Sequence, residues 1–119
     1  MNRQYGYHTG LAAEAIAERQ YLAGDYRILE HRWRGSAGEI DLIAQKDNAI
    51  IFAEVKARRT HTAAAHAISP RQRLRIADTA LEYLEAKGLS GSEIRFDAVL
   101  VDRHGASQIL ENAMSFDDW

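Results

Sequence analysis

The chain contains no cysteine, which excludes disulfides and every zinc site that relies on thiolates. No stretch approaches the roughly 18 consecutive apolar residues of a membrane span. Nor does the N-terminus carry the basic-then-apolar pattern of a signal peptide; the expected location is the cytoplasm. The five histidines (His8, His31, His61, His66 and His104) lack HExxH or comparable ligand spacing. They read as scattered surface residues rather than as a zinc site. A strong charge of either sign is also missing. The net charge is −2, which by itself argues weakly against a nucleic-acid partner.

What is present is ordinary for one globular domain. The 119 residues are 46% apolar and 27% charged, enough to build a real core. The charge is unevenly distributed. Residues 1–77 hold 12 basic and 8 acidic side chains, whereas residues 78–119 hold 3 and 9. Between Lys56 and Ala77 lie six basic residues and no acid: Lys56, Arg58, Arg59, Arg71, Arg73 and Arg75. Arginine supplies 12 of the 15 cations, and its planar fork suits phosphate better than the point charge of lysine. The polarised chain can offer phosphates a basic face despite its acidic total. A solvated arginine-rich helix start would look much the same.

The most informative stretch is residues 38–58, GEIDLIAQKDNAIIFAEVKAR. Two runs of strand formers, 39–45 and 49–56, flank Asp47-Asn48, and a short Asp/Asn loop between such runs signals a β-hairpin. With those two residues as the loop, Ile40 faces Val55, Leu42 faces Ala53 and Ala44 faces Ile51, giving one wholly apolar face. The other face pairs Glu39 with Lys56, Asp41 with Glu54 and Ile43 with Phe52. Directly opposed residues have Cβ atoms about 4.5–5.5 Å apart. Two carboxylates at that distance repel by roughly 3 kcal/mol at an effective dielectric of about 20. A divalent cation resolves the conflict, because Mg²⁺ takes hard carboxylate oxygens while keeping several waters. Lys56 shares the face of Glu54 by the two-residue period of a strand. The alternative is a surface register of ordinary ion pairs.

Around the hairpin, residues 10–23 read as an amphipathic helix with Thr9 as N-cap and Gly24 as the stop. Leu11, Ala15, Ile16 and Leu22 are its expected buried stripe, and Glu14 lies near the edge of that stripe. Residues 26–34 read as a strand whose Trp33 is either core or a stacking surface for a base. Residues 59–68 read as a loop. Ser69-Pro70 opens a second helix running to about Lys87, with Gly88 beyond its end and Leu74, Ala77, Leu81 and Leu84 as its apolar stripe. Arg71, Gln72, Arg73 and Arg75 occupy its first turns, where free backbone N–H groups also favour anions. Strands over 95–101 and 107–110 follow, then an acidic tail. The expected fold is α/β, a mixed sheet flanked by helices, in the order α-β-β-β-α-β-β.

With that order in hand, the chain resembles the UPF0102 (YraN-like) family of small bacterial proteins. The resemblance rests on Glu14, Tyr26-Arg27-Ile28-Leu29, Gly38-Glu39-Ile40-Asp41-Leu42-Ile43, Phe52-Ala53-Glu54-Val55-Lys56-Ala57-Arg58, the 80–84 helix segment and Arg95-Phe96-Asp97. That family is similar to the PD-(D/E)xK nuclease superfamily and to archaeal Holliday-junction resolvases. The resemblance implies a single restriction-endonuclease-like domain over residues 1–119. It makes Asp41 the motif aspartate, Glu54 the motif acid and Lys56 the motif lysine, with Glu14 as a further metal carboxylate. The motif proline is replaced by Ile40, glycine before the glutamate by Ala13, and a frequent helix lysine by Gln72.

The expected function is a Mg²⁺- or Mn²⁺-dependent endonuclease, or a nucleic-acid-processing protein, hydrolysing phosphodiesters in structured or branched DNA. Asp41, Glu54 and Glu14 hold the metal in this reading, and Lys56 orients the attacking water or stabilises charge on phosphorus oxygens. Glu39 pairs with Lys56 across the hairpin. Arg58, Arg59, Arg71, Arg73 and Arg75 grip the backbone, with Gln72 lining the site. Related resolvases work as symmetric pairs, which brings a homodimer into view. The competing readings are a nucleic-acid-binding module that has lost cleavage, helped by a protein partner in DNA processing, and a protein-interaction subunit.

Overall fold

The computed structural model describes the backbone of residues 3–113 and the side chains of residues 10–113. The acidic tail and the side chain of His8 lie outside that range. In chain order the elements are α1 (Arg3–Ala23), β1 (Arg27–Arg34), β2 (Glu39–Lys46), β3 (Ala49–Ala57), α2 (His61–His66), α3 (Pro70–Ala86), β4 (Glu93–Val101) and β5 (Ser107–Leu110). The five strands form one sheet in the order β1-β2-β3-β4-β5. All neighbours are antiparallel except β3 and β4, which run parallel because α2 and α3 return the chain between them. The architecture is a mixed α/β sheet flanked by helices, compatible with a restriction-endonuclease-like fold. Among the described residues, no helix is long and apolar enough to cross a membrane.

Alternation along the central strands divides the core into two layers. Ile43, Ile50, Phe52, Phe96, Ala98 and Leu100 pack with Ile76, Ala80, Tyr83 and Leu84 of α3. Leu42, Ala44, Ile51, Ala53, Val99 and Val101 pack with Ala13, Ala17 and Tyr21 of α1. The alanines let α1 lie close on the sheet, and Tyr21 fills the space at the far end of their line. Trp33 is half-buried and packs against this core, edge-on to Tyr83 at 5.1 Å between ring centroids.

The helix faces differ in part from those expected: in α3, Ala77 and Leu84 are buried as expected. In α3 the buried line is Ile76, Ala80, Tyr83 and Leu84, with Ala77 beside it, while Leu74 and Leu81 are 56% and 57% exposed. These two leucines stand seven residues apart, close to two helical turns, on the side away from the sheet. In α1 the buried line is Ala13, Ala17 and Tyr21; Ile16 is half-buried and Leu11, Ala15 and Leu22 are exposed. Helix α1 also begins at Arg3, so Thr9 lies inside it and does not cap it. Its stop is as expected, with the Gly24 N–H bonded to the Tyr21 carbonyl at 3.0 Å. The left-handed residue there is Asp25, at φ 68°.

Residues 59–68 are not wholly loop. The Thr60 hydroxyl accepts from the Ala63 N–H at 3.1 Å and caps the short helix α2. Ser69 caps α3 in the same way, accepting from the Gln72 N–H at 3.1 Å, with Pro70 in the first helical position. The turn between β1 and β2 is fastened to α3. The Ser36 N–H and hydroxyl both donate to the Glu82 carboxylate at 2.9–3.0 Å. A Cβ on Gly35 would meet that carboxylate at 2.7 Å and the Trp33 ring at 2.9 Å. A side chain at Gly35 would therefore have to displace the Glu82 carboxylate and the Trp33 ring where the turn passes α3.

Candidate metal and nucleic-acid site

β2 and β3 pair in the expected register, from Lys46↔Ala49 at the Asp47-Asn48 loop to Leu42↔Ala53. Asp47 supplies the turn's left-handed residue at φ 53°. The ladder ends one step before Asp41 and Glu54. Ile40 lies in the α3 layer with Ile43, whereas Leu42 and Val55 belong to the α1 layer. Strict alternation therefore breaks at Asp41, and the expected Ile40–Val55 pairing gives way to a side-chain contact. The Val55 N–H donates to Asp41 Oδ2 at 2.8 Å. A continued ladder would give that donor to the backbone of the opposing strand. Here it fixes a carboxylate where the strands part.

Glu54 stands beside this break, only 5% exposed. The Gln72 side-chain amide donates to Glu54 Oε2, and the Lys56 ammonium lies 3.6 Å from the same oxygen. The Glu54 carboxyl titrates well above its ordinary value of 4.5, first because it is buried, then through hydrogen bonding to Asp41 and the Asp41 charge. Lys56 opposes that rise without cancelling it. The predicted juxtaposition of Asp41, Glu54, Lys56 and Gln72 is thus built from two parting strands and the start of α3.

Glu14 is placed differently. Its carboxylate receives a two-pronged hydrogen bond from Arg32, at 2.7 and 3.2 Å. Arg32 reaches it from a β1 residue held at φ 51°, past the irregularity between Ile28 and Glu30. Among the described residues no three His, Cys, Asp or Glu side chains gather at metal-holding spacing. Glu39 pairs with Arg34 at 3.1 Å instead of with Lys56.

The basic residues fall into two sets. Arg71, Arg73 and Arg75 occupy the first turns of α3, beside Gln72; the Arg73 Nε is buried without a hydrogen-bond partner. Arg58 and Arg59 leave the end of β3 and, with Lys56, line a cavity of about 520 Å³. Arg103, on the turn after β4, lines it too. Sequence reading passed over Arg103 because a lone arginine in a polar turn carries no pattern. Arg32 was equally illegible, since its role depends on a positive φ that an arginine rarely adopts.

A second buried acid contrasts with Glu54. Asp97 is 0% exposed and accepts from Arg95 through both oxygens at 2.8 Å, from the Tyr21 hydroxyl at 2.8 Å and from the Asn112 N–H at 3.0 Å. Arg95 also donates to the Tyr26 hydroxyl at 2.8 Å. The network ties α1, β4 and the segment after β5 together. Burial, then the Asp97 charge, raises the Tyr21 phenol above its usual range.

The family model described as "Uncharacterised protein family UPF0102" matches residues 13–101, which include both strands of the site and all of α3. A UPF0102 protein of Roseobacter denitrificans is 47% identical over 111 residues, covering 92% of this chain and 85% of that protein. A UPF0102 protein of Cereibacter sphaeroides is 41% identical over 116 residues, covering 97% and 99%. One of Bradyrhizobium is 48% identical over 100 residues, covering 83% and 71%. The chain belongs to the UPF0102 family.

Proposed function

We propose that the protein is a divalent-metal-dependent endonuclease that hydrolyses phosphodiesters in structured or branched DNA. The observation that carries this reading is the pair Asp41 and Glu54, two carboxyls held together where β2 and β3 part, with too little positive charge around them to satisfy both. The donor set fits Mg²⁺ or Mn²⁺, since both side chains offer hard oxygens and Glu54 retains a proton that a cation would displace. When bound, such a cation polarises a phosphate and lowers the pKa of its water.

The chain's own residues supply the rest. The Val55 N–H fixes Asp41, and Gln72 and Lys56 orient Glu54, so both carboxyls are positioned before substrate arrives. The Lys56 ammonium sits within reach of the same centre, where it orients the attacking water and offsets charge growing on the phosphorus oxygens. The arginines after β3 and at the start of α3 bind the phosphates on either side. Glu14 joins the centre only if Arg32 releases it.

That engagement of Glu14 supports a second reading, a nucleic-acid-binding module without cleavage that works with a protein partner. Incubation with labelled single-stranded, duplex, flap and four-way-junction DNA, in Mg²⁺, Mn²⁺ or EDTA, separates the two. Cleavage that needs metal and disappears in Glu54→Ala is expected. Binding that persists in EDTA with no cutting in any metal would overturn the nuclease reading and leave the binding module.

A further inference from the structure

The cavity beside Lys56 has walls of two kinds. It opens where the parallel strands β3 and β4 end, with Ala57 level with Val101. Carboxyl ends of parallel strands are where open α/β sheets usually receive ligands. Its inner surface is aliphatic, contributed by Ala13, Ile16, Val55, Ala57 and Val101. Its rim carries Arg58, Arg59 and Arg103, and among the described residues none of these guanidinium groups pairs with a carboxylate. Among the described residues the one acid in the lining is Asp102, which turns an oxygen inward to its own turn, accepting from the His104 and Ala106 N–H groups at 2.9 and 3.0 Å.

The rim is also built to hold its shape. The Arg58 N–H bonds the Val101 carbonyl at 3.0 Å, and the His61 ring contacts the Ala106 carbonyl at 2.9 Å. Gly105 adopts φ +81°, and a Cβ there would touch Ile16 at 3.6 Å. The turn after β4 is thus fastened to β3, to α2 and against α1.

A cavity of about 520 Å³ is within the range of roughly 300–1,000 Å³ that takes small organic ligands, and is far too small for a duplex. Its aliphatic interior suits the face of a base, and its arginine rim suits the attached phosphate. We infer that this cavity is a cradle for one unpaired nucleotide of a DNA strand, with the base against the aliphatic wall and the phosphate held by Arg58, Arg59 and Arg103. The inference deepens the endonuclease reading and rests on it for the identity of the substrate. Val55 and Lys56 belong both to the cradle wall and to the surroundings of the carboxyl pair, so the nucleotide beside the cut would be the unstacked one. Preference for junctions, flaps or gaps would follow, because those DNAs present an unpaired nucleotide at little energetic cost.

The test is a fluorescence titration in EDTA, where no cleavage intervenes, using a short single strand that carries one 2-aminopurine and a duplex with the same base paired. A saturable fluorescence change is expected with the single strand and a much weaker one with the duplex. Arg59→Ala with Arg103→Ala, both at exposed positions, should weaken the single-strand response at least tenfold; Ala57→Trp, which fills the cavity, should remove it. Leu81→Gln, on the exposed outer face of α3, should leave it intact, and because the titration is run without metal its outcome is separate from loss of cleavage. Free 2-aminopurine deoxyriboside monophosphate is titrated alongside. A similar response would identify a nucleotide as the occupant with or without its strand, and a weaker one would identify the strand. No response from either, an equal response from the duplex, or an arginine pair that changes nothing would overturn the cradle.

Discussion

Among the described residues two acids are buried, Glu54 and Asp97, and their surroundings differ. Asp97 is met by two guanidinium N–H groups, a phenol and a backbone N–H. Glu54 is met by one amide, an ammonium at 3.6 Å and another carboxyl. A carboxylate whose acceptor sites are filled strengthens the fold that buries it, and breaking such a pair is expensive. A carboxyl that keeps its proton beside a second acid weakens the fold unless something from outside compensates. The Asp97 network is structural, whereas the Asp41–Glu54 pair is the one we propose as a site.

The comparison can be broken by substitution. Asp97→Ala leaves Arg95 and Tyr21 facing a gap, and the loss should be about 3–5 kcal/mol in urea unfolding. Tyr21→Phe removes one hydrogen bond to that carboxylate and should cost about 1.5–3 kcal/mol. Glu54→Gln should do the opposite in metal-free buffer. It relieves the contact with Asp41 and should stabilise the protein by on the order of 1 kcal/mol, while abolishing metal-dependent cleavage.

The same contrast has a pH signature. The folded chain holds the Glu54 proton more tightly than the unfolded chain does, so the folded state binds more protons above the ordinary carboxylate value. This contribution to stability is fully present below pH 4.5 and is lost as the pH rises. In EDTA the melting temperature of the wild type should fall with rising pH relative to Glu54→Gln. Parallel profiles for the two would count against a retained proton. The smallest effect should come from the outer face of α3, where Leu74→Gln or Leu81→Gln should change stability by no more than about 0.5 kcal/mol.

That last pair shows where the sequence misleads. Helical periodicity fixes the spacing of a buried stripe but not its phase: in α3 Ala77 and Leu84 are buried as expected while Leu74 and Leu81 are not, and in α1 the expected Leu11, Ala15 and Leu22 are exposed. At a close helix–sheet contact a small residue is favoured, so Ala13, Ala17 and Ala80 are interior. The hairpin was legible because strand period, turn residues and paired carboxylates all pointed to one register. Its end was not, because the break at Asp41 rests on a side-chain bond from the Val55 N–H to Asp41, which strand alternation does not announce. Helix α2 had a readable cap in Thr60 followed by alanines, the strongest helix formers. The pairing of Glu14 with Arg32 joins distant elements through an uncommon backbone angle, and only the folded chain displays it.

The most direct test of the carboxyl pair is thermal unfolding of the wild type and Asp41→Asn in EDTA and in Mg²⁺ or Mn²⁺. The asparagine keeps the size of the side chain and an oxygen for the Val55 N–H. The wild type should melt higher with metal than without, and Asp41→Asn should gain nothing from metal while matching or exceeding the wild type in EDTA. A wild type indifferent to metal, or a variant that gains as much, would contradict a cation site at Asp41 and Glu54.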